Sequence, residues 1–104
     1  MTLEELKEDY DWKEAFNYAD FSVDDVKYIV AFSEGYNDGD PWVIVVELND
    51  RMFGYVDAWC DYTGWDCQAG GSSAVKNTLE ELQRWDMTSR SRRRLNMVLE
   101  DLDK

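Results

Sequence analysis

A chain of 104 residues that is 44% hydrophobic and 14% aromatic can build one hydrophobic core but not two comfortable domains, and it lies well away from compositions that stay disordered. No apolar run reaches the roughly 18 residues of a membrane span, and the acidic N-terminus lacks the basic start and apolar stretch of a signal peptide. A single soluble, cytoplasmic, acidic domain over residues 1 to 104 is expected. The formal charge of -12 is uneven: residues 1 to 66 carry 17 Asp or Glu against 4 Lys or Arg, and residues 67 to 104 carry 6 against 7. Such an excess repels nucleic acid and anionic lipid, and it attracts basic surfaces.

Thr2 with Glu5 three residues later forms a capping box, so a helix should start there. Leu3, Leu6 and Tyr10, then Trp12, Ala15, Phe16 and Ala19, follow helical spacing and predict one bent helix or two short ones over residues 3 to 19. Ser22 with Asp25 repeats the capping signal for a turn or two. From Lys27 the pattern becomes that of a strand, with Tyr28, Val30 and Phe32 alternating with Lys27, Ile29 and Ala31.

The turn formers of residues 34 to 41 end that strand. Aligning Gly39 with the glycine of a calcium-binding loop puts Val45 where a bidentate Glu is required, so this segment reads as a solvated turn and not a metal site. Residues 42 to 48, WVIVVEL, are nearly continuously apolar and predict a central strand covered on both faces. Asn49 and Asp50 suit the left-handed conformations of a tight hairpin, after which residues 52 to 60 form the partner strand. Its two faces carry Phe53, Tyr55, Asp57 and Trp59 on one side, and Met52, Gly54, Val56, Ala58 and Cys60 on the other. The small Gly54 and Ala58 suggest a closely packed helix on the second face. Asp57, the one charge in this strand, either points to solvent or belongs to a site.

Residues 57 to 71, DAWCDYTGWDCQAGG, have neither helical nor strand periodicity throughout and read as a structured loop. Trp59, Tyr62 and Trp65 are expected to pack it down, and Gly70 or Gly71 to take a positive φ. Cys60 and Cys67 read first as small buried apolar side chains. A local disulfide is the alternative, while zinc is disfavoured because two Cys without His fall short of four ligands. No cofactor or metal is expected. Residues 72 to 76 suggest a short strand, Leu79, Leu82 and Trp85 an inward-facing helix, and Leu95, Val98, Leu99 and Leu102 the apolar stripe of a last helix capped by Thr88 or Ser89. Arg90, Arg92, Arg93 and Arg94 fall in its first turns, where the helix dipole disfavours cations. They read as a solvated face answering the acidic half, or as a partner-binding patch. The expected fold is therefore α+β, a small antiparallel sheet of three or four strands flanked by N- and C-terminal helices.

The block AWCDYTGWDCQAGGS, residues 58 to 72, follows a strand and the turn from Glu34 to Asp40. It resembles a block shared by a family of small uncharacterised proteins of bacteria and their phages. The resemblance covers about residues 26 to 85 and implies origin, not activity. No biochemical function is attached to that family, so no catalytic residue carries over.

Three functions compete. The first is an acidic module that binds a basic protein surface by imitating nucleic acid, as a phage-encoded inhibitor of a defence complex of the anti-CRISPR kind would. Its candidate contacts are Glu4, Glu5, Glu8, Asp9, Asp11, Glu14, Glu34, Asp38 and Asp40. An immunity protein that neutralises a toxin predicts the same acidity with a different partner. An enzyme is disfavoured: without His it would depend on Asp57, Asp61 and Asp66 or on a cysteine thiolate with no evident activator.

Overall fold

In the computed structural model, which describes residues 1–85 and 89–100, four antiparallel strands form one meander. They are β1 (Val26–Ser33), β2 (Trp42–Leu48), β3 (Phe53–Cys60) and β4 (Ala69–Lys76), ordered in the sheet as in the chain. Helices α1 (Leu3–Glu8) and α2 (Tyr10–Ala15) precede the sheet, and α3 (Leu79–Arg84) and α4 (Ser89–Glu100) follow it. The α+β expectation holds, with four strands.

The continuous apolar run of β2 follows from its place between two layers. Trp42, Ile44, Val46 and Leu48 join Leu6, Trp12, Ala15 and Phe16 in a core on the N-terminal face. Val43 and Val45 join Leu82, Leu95, Val98 and Leu99 on the opposite face. Each buried Val, Leu, Ile or Phe side chain among them contributes about 1.5–3 kcal/mol relative to exposure.

Residues 3 to 18 divide into two helices and a single 3-10 turn, Phe16–Tyr18. The break falls at Asp9, whose extended backbone (φ -73°, ψ 127°) ends α1 while its Oδ1 accepts from the Trp12 N–H at 3.0 Å and caps α2. Both expected capping boxes are present, Thr2 with Glu5 and Ser22 with Asp25. The second opens only one 3-10 turn, Val23–Asp25.

Two sequence expectations fail locally. The simple alternation in β1 is broken by register shifts at Lys27 and Val30, so that Val30 and Ala31 both pack on the C-terminal core while Ile29 packs on the other. Bulges of this kind twist an edge strand away from further pairing. In the β2–β3 hairpin the left-handed residue is Arg51 (φ 71°), not Asn49 or Asp50. Arg51 N–H donates to Leu48 O (3.0 Å) and Leu48 N–H to Met52 O (2.7 Å), which makes a three-residue connection whose last position takes the positive φ.

The paired glycines also behave differently from expectation. Gly70 and Gly71 lie inside β4, and Gly64 is the glycine with positive φ (91°) among the described residues. Close approach explains them: a Cβ on Gly71 would sit 2.7 Å from the Asp57 backbone oxygen and 2.8 Å from Tyr18 Cβ, and one on Gly70 would meet the Trp59 indole at 3.0 Å. Gly54 likewise leaves room for the Phe21 ring, on the face where a closely packed helix was expected and the N-terminal segment lies. Gly71→Ala should therefore lower stability by about 1–3 kcal/mol through overpacking against backbone. Gly64→Ala, with open space around it, should lose only about 1 kcal/mol through its left-handed φ. Urea unfolding of both variants checks the order, and an unchanged midpoint for Gly71→Ala would contradict it.

Candidate functional site

The segment expected to be a loop over residues 57 to 71 is mostly hairpin. Asp57 to Cys60 end β3, Ala69 to Gly71 begin β4, and only residues 61 to 68 connect them. The Asp61 Oδ1 accepts from the Thr63 N–H (2.9 Å) and also bonds the Thr63 hydroxyl, and the Asp61 N–H donates to Gln68 O (3.0 Å). Trp65 anchors this connection. It is 9% exposed, its indole N–H donates to Asp11 Oδ1 at 2.9 Å, and its ring lies 5.1 Å from that of Trp42. Trp59 is half-buried over Gly70. Tyr62 does not pack at all; it is 78% exposed at the tip of the Asp61 turn. Cys60 is buried as expected, with its thiol donating to Asn37 Oδ1 (3.3 Å). Burial, then the charges of Asp11 and Asp61, raise its pKa. Cys67 is exposed, which corrects the buried reading for that residue, and both thiols are free.

Asp57 is drawn into the protein. Only 2% exposed, it accepts from the Tyr55 hydroxyl at Oδ2 (2.5 Å) and from Arg94 Nη1 at Oδ1 (3.1 Å). The Tyr55 hydroxyl also lies 3.2 Å from the Ser91 carbonyl oxygen. Burial, followed by the Asp57 charge and hydrogen bond, lifts the Tyr55 pKa far above the usual tyrosine range. The result is a buried tie between the middle of the sheet and α4, in which both carboxylate oxygens are occupied. Arg92 is also structural, donating to the Gln83 and Trp85 carbonyls that end α3. The solvated reading of the basic run thus describes exposed Arg90 and Arg93 but not Arg92 or Arg94. Thr88 and Leu102, the expected cap and last apolar position of α4, lie outside the described residues.

The expected partner-binding carboxylates divide in the same way. Glu4, Glu8, Glu34, Asp38 and Asp40 are exposed. Glu5 closes the α1 capping box, Asp9 caps α2, Asp11 holds Trp65, and Glu14 accepts from the Asn17 side chain (3.3 Å). Asp38 takes a positive φ (58°), and its N–H donates to Cys60 O at 2.9 Å, which ties the turn of residues 34 to 41 to the end of β3. Two residues join this surface without having been singled out for it. Tyr10 is 60% exposed, and partial loss of water together with the nearby charges of Glu14, Asp66 and Asp11 raises its pKa. Its helical position was legible, but the neighbouring Asp66 arrives only through the fold. Among the described residues, no group of three or more Cys, Asp or Glu side chains is placed to hold a metal ion, and no helix is long and apolar enough to cross a membrane. No family model, curated protein or solved structure matches the chain.

Proposed function

We propose that this protein is a small acidic interaction module that docks on a basic, nucleic-acid-binding surface of a protein partner, as a phage-encoded inhibitor of a bacterial defence complex would. The observation that carries this reading is the separation of charge across the sheet. The N-terminal face is covered by residues 1 to 25, in which Glu4, Glu5, Glu8, Asp9, Asp11, Glu14, Asp20, Asp24 and Asp25 face only Lys7 and Lys13, and Lys7 already lies 3.9 Å from Asp24. The arginines of α4 belong to the opposite layer, where Arg92 and Arg94 are held by α3 and Asp57. A basic partner approaching the first face therefore meets carboxylates with few internal counter-charges.

Duplex DNA presents about one charge per 1.7 Å of axis, and a rigid layer of carboxylates imitates part of that field. Exposed Tyr10 adds the amphipathic contact in which protein interfaces are rich. Because such recognition is spread over many charges, single amide substitutions should have little effect, whereas Asp38→Asn with Asp40→Asn, or Glu14→Gln with Asp66→Asn, should weaken binding. Asn tolerates the left-handed backbone at position 38, so the fold is kept.

The check is retention of a basic nucleic-acid-binding protein from bacterial lysate on the immobilised chain. Retention should fall as salt rises, since exposed charges are screened over about 8 Å at physiological ionic strength. Arg93→Gln is the matched control, because neutralising Arg92 and Arg94 would remove structural contacts. Full retention by both carboxylate pairs with loss in Arg93→Gln would move the interaction to α4 and refute the proposal.

A further inference from the structure

Beside the Asp57 and Arg94 pair, on the C-terminal face, lies a cleft of about 420 Å³ lined by Asp57, Trp59, Gly71, Ser72, Arg90 and Arg94. An adjoining hollow of about 280 Å³ shares Trp59, Arg90 and Arg94 and reaches Asp38 and Asp61. We propose that this cleft binds a small ligand made of a flat ring and a single anionic head group, a carboxylate or a phosphate. The cleft lies across the sheet from the acidic layer of residues 1 to 25, and of the carboxylates proposed for partner binding only Asp38 reaches the adjoining hollow.

Arg90 and Arg94 are four residues apart on α4 and so share one side of the helix. The first turn of α4 holds no acidic residue, so its positive dipole end adds to the guanidinium of Arg90. Asp57 offsets the charge of Arg94, which it holds through a single guanidinium nitrogen, so Arg90 leaves the pair with one net positive charge. Arg90 is exposed and makes no hydrogen bond or ion pair among the described residues. An arginine fork is suited to bidentate pairing with a planar carboxylate or a phosphate.

The remaining lining residues define the rest of the ligand. Gly71 lines the cleft and Ser72 offers a hydroxyl, and the Trp59 indole offers a surface for stacking a ring. Asp38 and Asp61 at the far end of the second hollow would accept from ligand hydroxyl or amino groups and repel a second anion.

The test is a two-dimensional proton–nitrogen NMR titration with adenosine monophosphate and with benzoate, using inorganic phosphate and acetate as ring-free controls. At least one ring-bearing anion should shift the Trp59 indole N–H and the Ser72 amide together, saturably, and more tightly than its ring-free control; whichever binds identifies the head group. Arg90→Gln should weaken that binding about tenfold or more, as expected for loss of a charge-assisted contact, while the thermal midpoint stays unchanged. Absence of saturable shifts with both ring-bearing anions would overturn the proposal. So would equal binding of the ring-free control, or undiminished binding to Arg90→Gln.

Discussion

Asp57→Ala is expected to destabilise the protein by about 3–5 kcal/mol, because it leaves the Arg94 guanidinium without its counter-charge in a largely buried position. In the same step the Tyr55 hydroxyl loses its carboxylate acceptor and keeps only the longer contact to the Ser91 carbonyl. A typical domain is stable by only about 5–15 kcal/mol, so the variant should be largely unfolded at moderately raised temperature. The mechanism is specific and can be separated from simple loss of volume. Replacing Asp57 by Leu together with Arg94 by Met removes both charges while keeping apolar volume, and should recover much of the stability, since a buried ion pair is commonly replaceable by apolar residues although half of one is not. Thermal unfolding of the single and double variants distinguishes these outcomes. A single variant with the wild-type midpoint would show that the tie between β3 and α4 contributes nothing.

Ile44→Asp should prevent folding. Ile44 is fully buried in β2, paired with Phe32 on β1 and Val56 on β3, and its side chain lies in the N-terminal core. A carboxylate there would have to be buried without a partner or protonated, and either alternative costs several kcal/mol on top of the lost apolar burial. Circular dichroism and proton NMR should report an unfolded or aggregated chain. A cooperative thermal transition near that of the wild type would mean that β2 is not the strand around which the two cores form.

The elements that were legible in the sequence are those whose signals are local. Residues 42 to 48 read as a doubly covered strand because both of its faces are apolar, and Thr2 and Ser22 mark helix starts through groups within three residues of themselves. Gly70 and Gly71 show where local reading stops. Glycine there indicates that a side chain is not tolerated, but a left-handed backbone and a close approach by Tyr18 or Trp59 leave the same letter in the sequence. The tie between Asp57 and Arg94 spans 37 positions, and Arg94 stands within a run of arginines that reads as a solvated face or a partner-binding patch, with nothing local to set it apart from its neighbours. The one hint was Asp57 itself, a lone charge on a strand face otherwise made of Phe53, Tyr55 and Trp59. The carboxylates of residues 4 to 14 were visible as a group, but which of them cap helices or hold Trp65 depends on three-dimensional partners.

The proposal that the acidic face stands in for nucleic acid is tested most directly by competition. A basic partner held by the immobilised protein at low salt should be released by a short DNA duplex at a concentration that saturates the partner's own nucleic-acid site, because the two ligands would occupy the same cationic surface. A partner that stays bound to the protein while the duplex is also bound would contradict the account, since the two surfaces would then be separate.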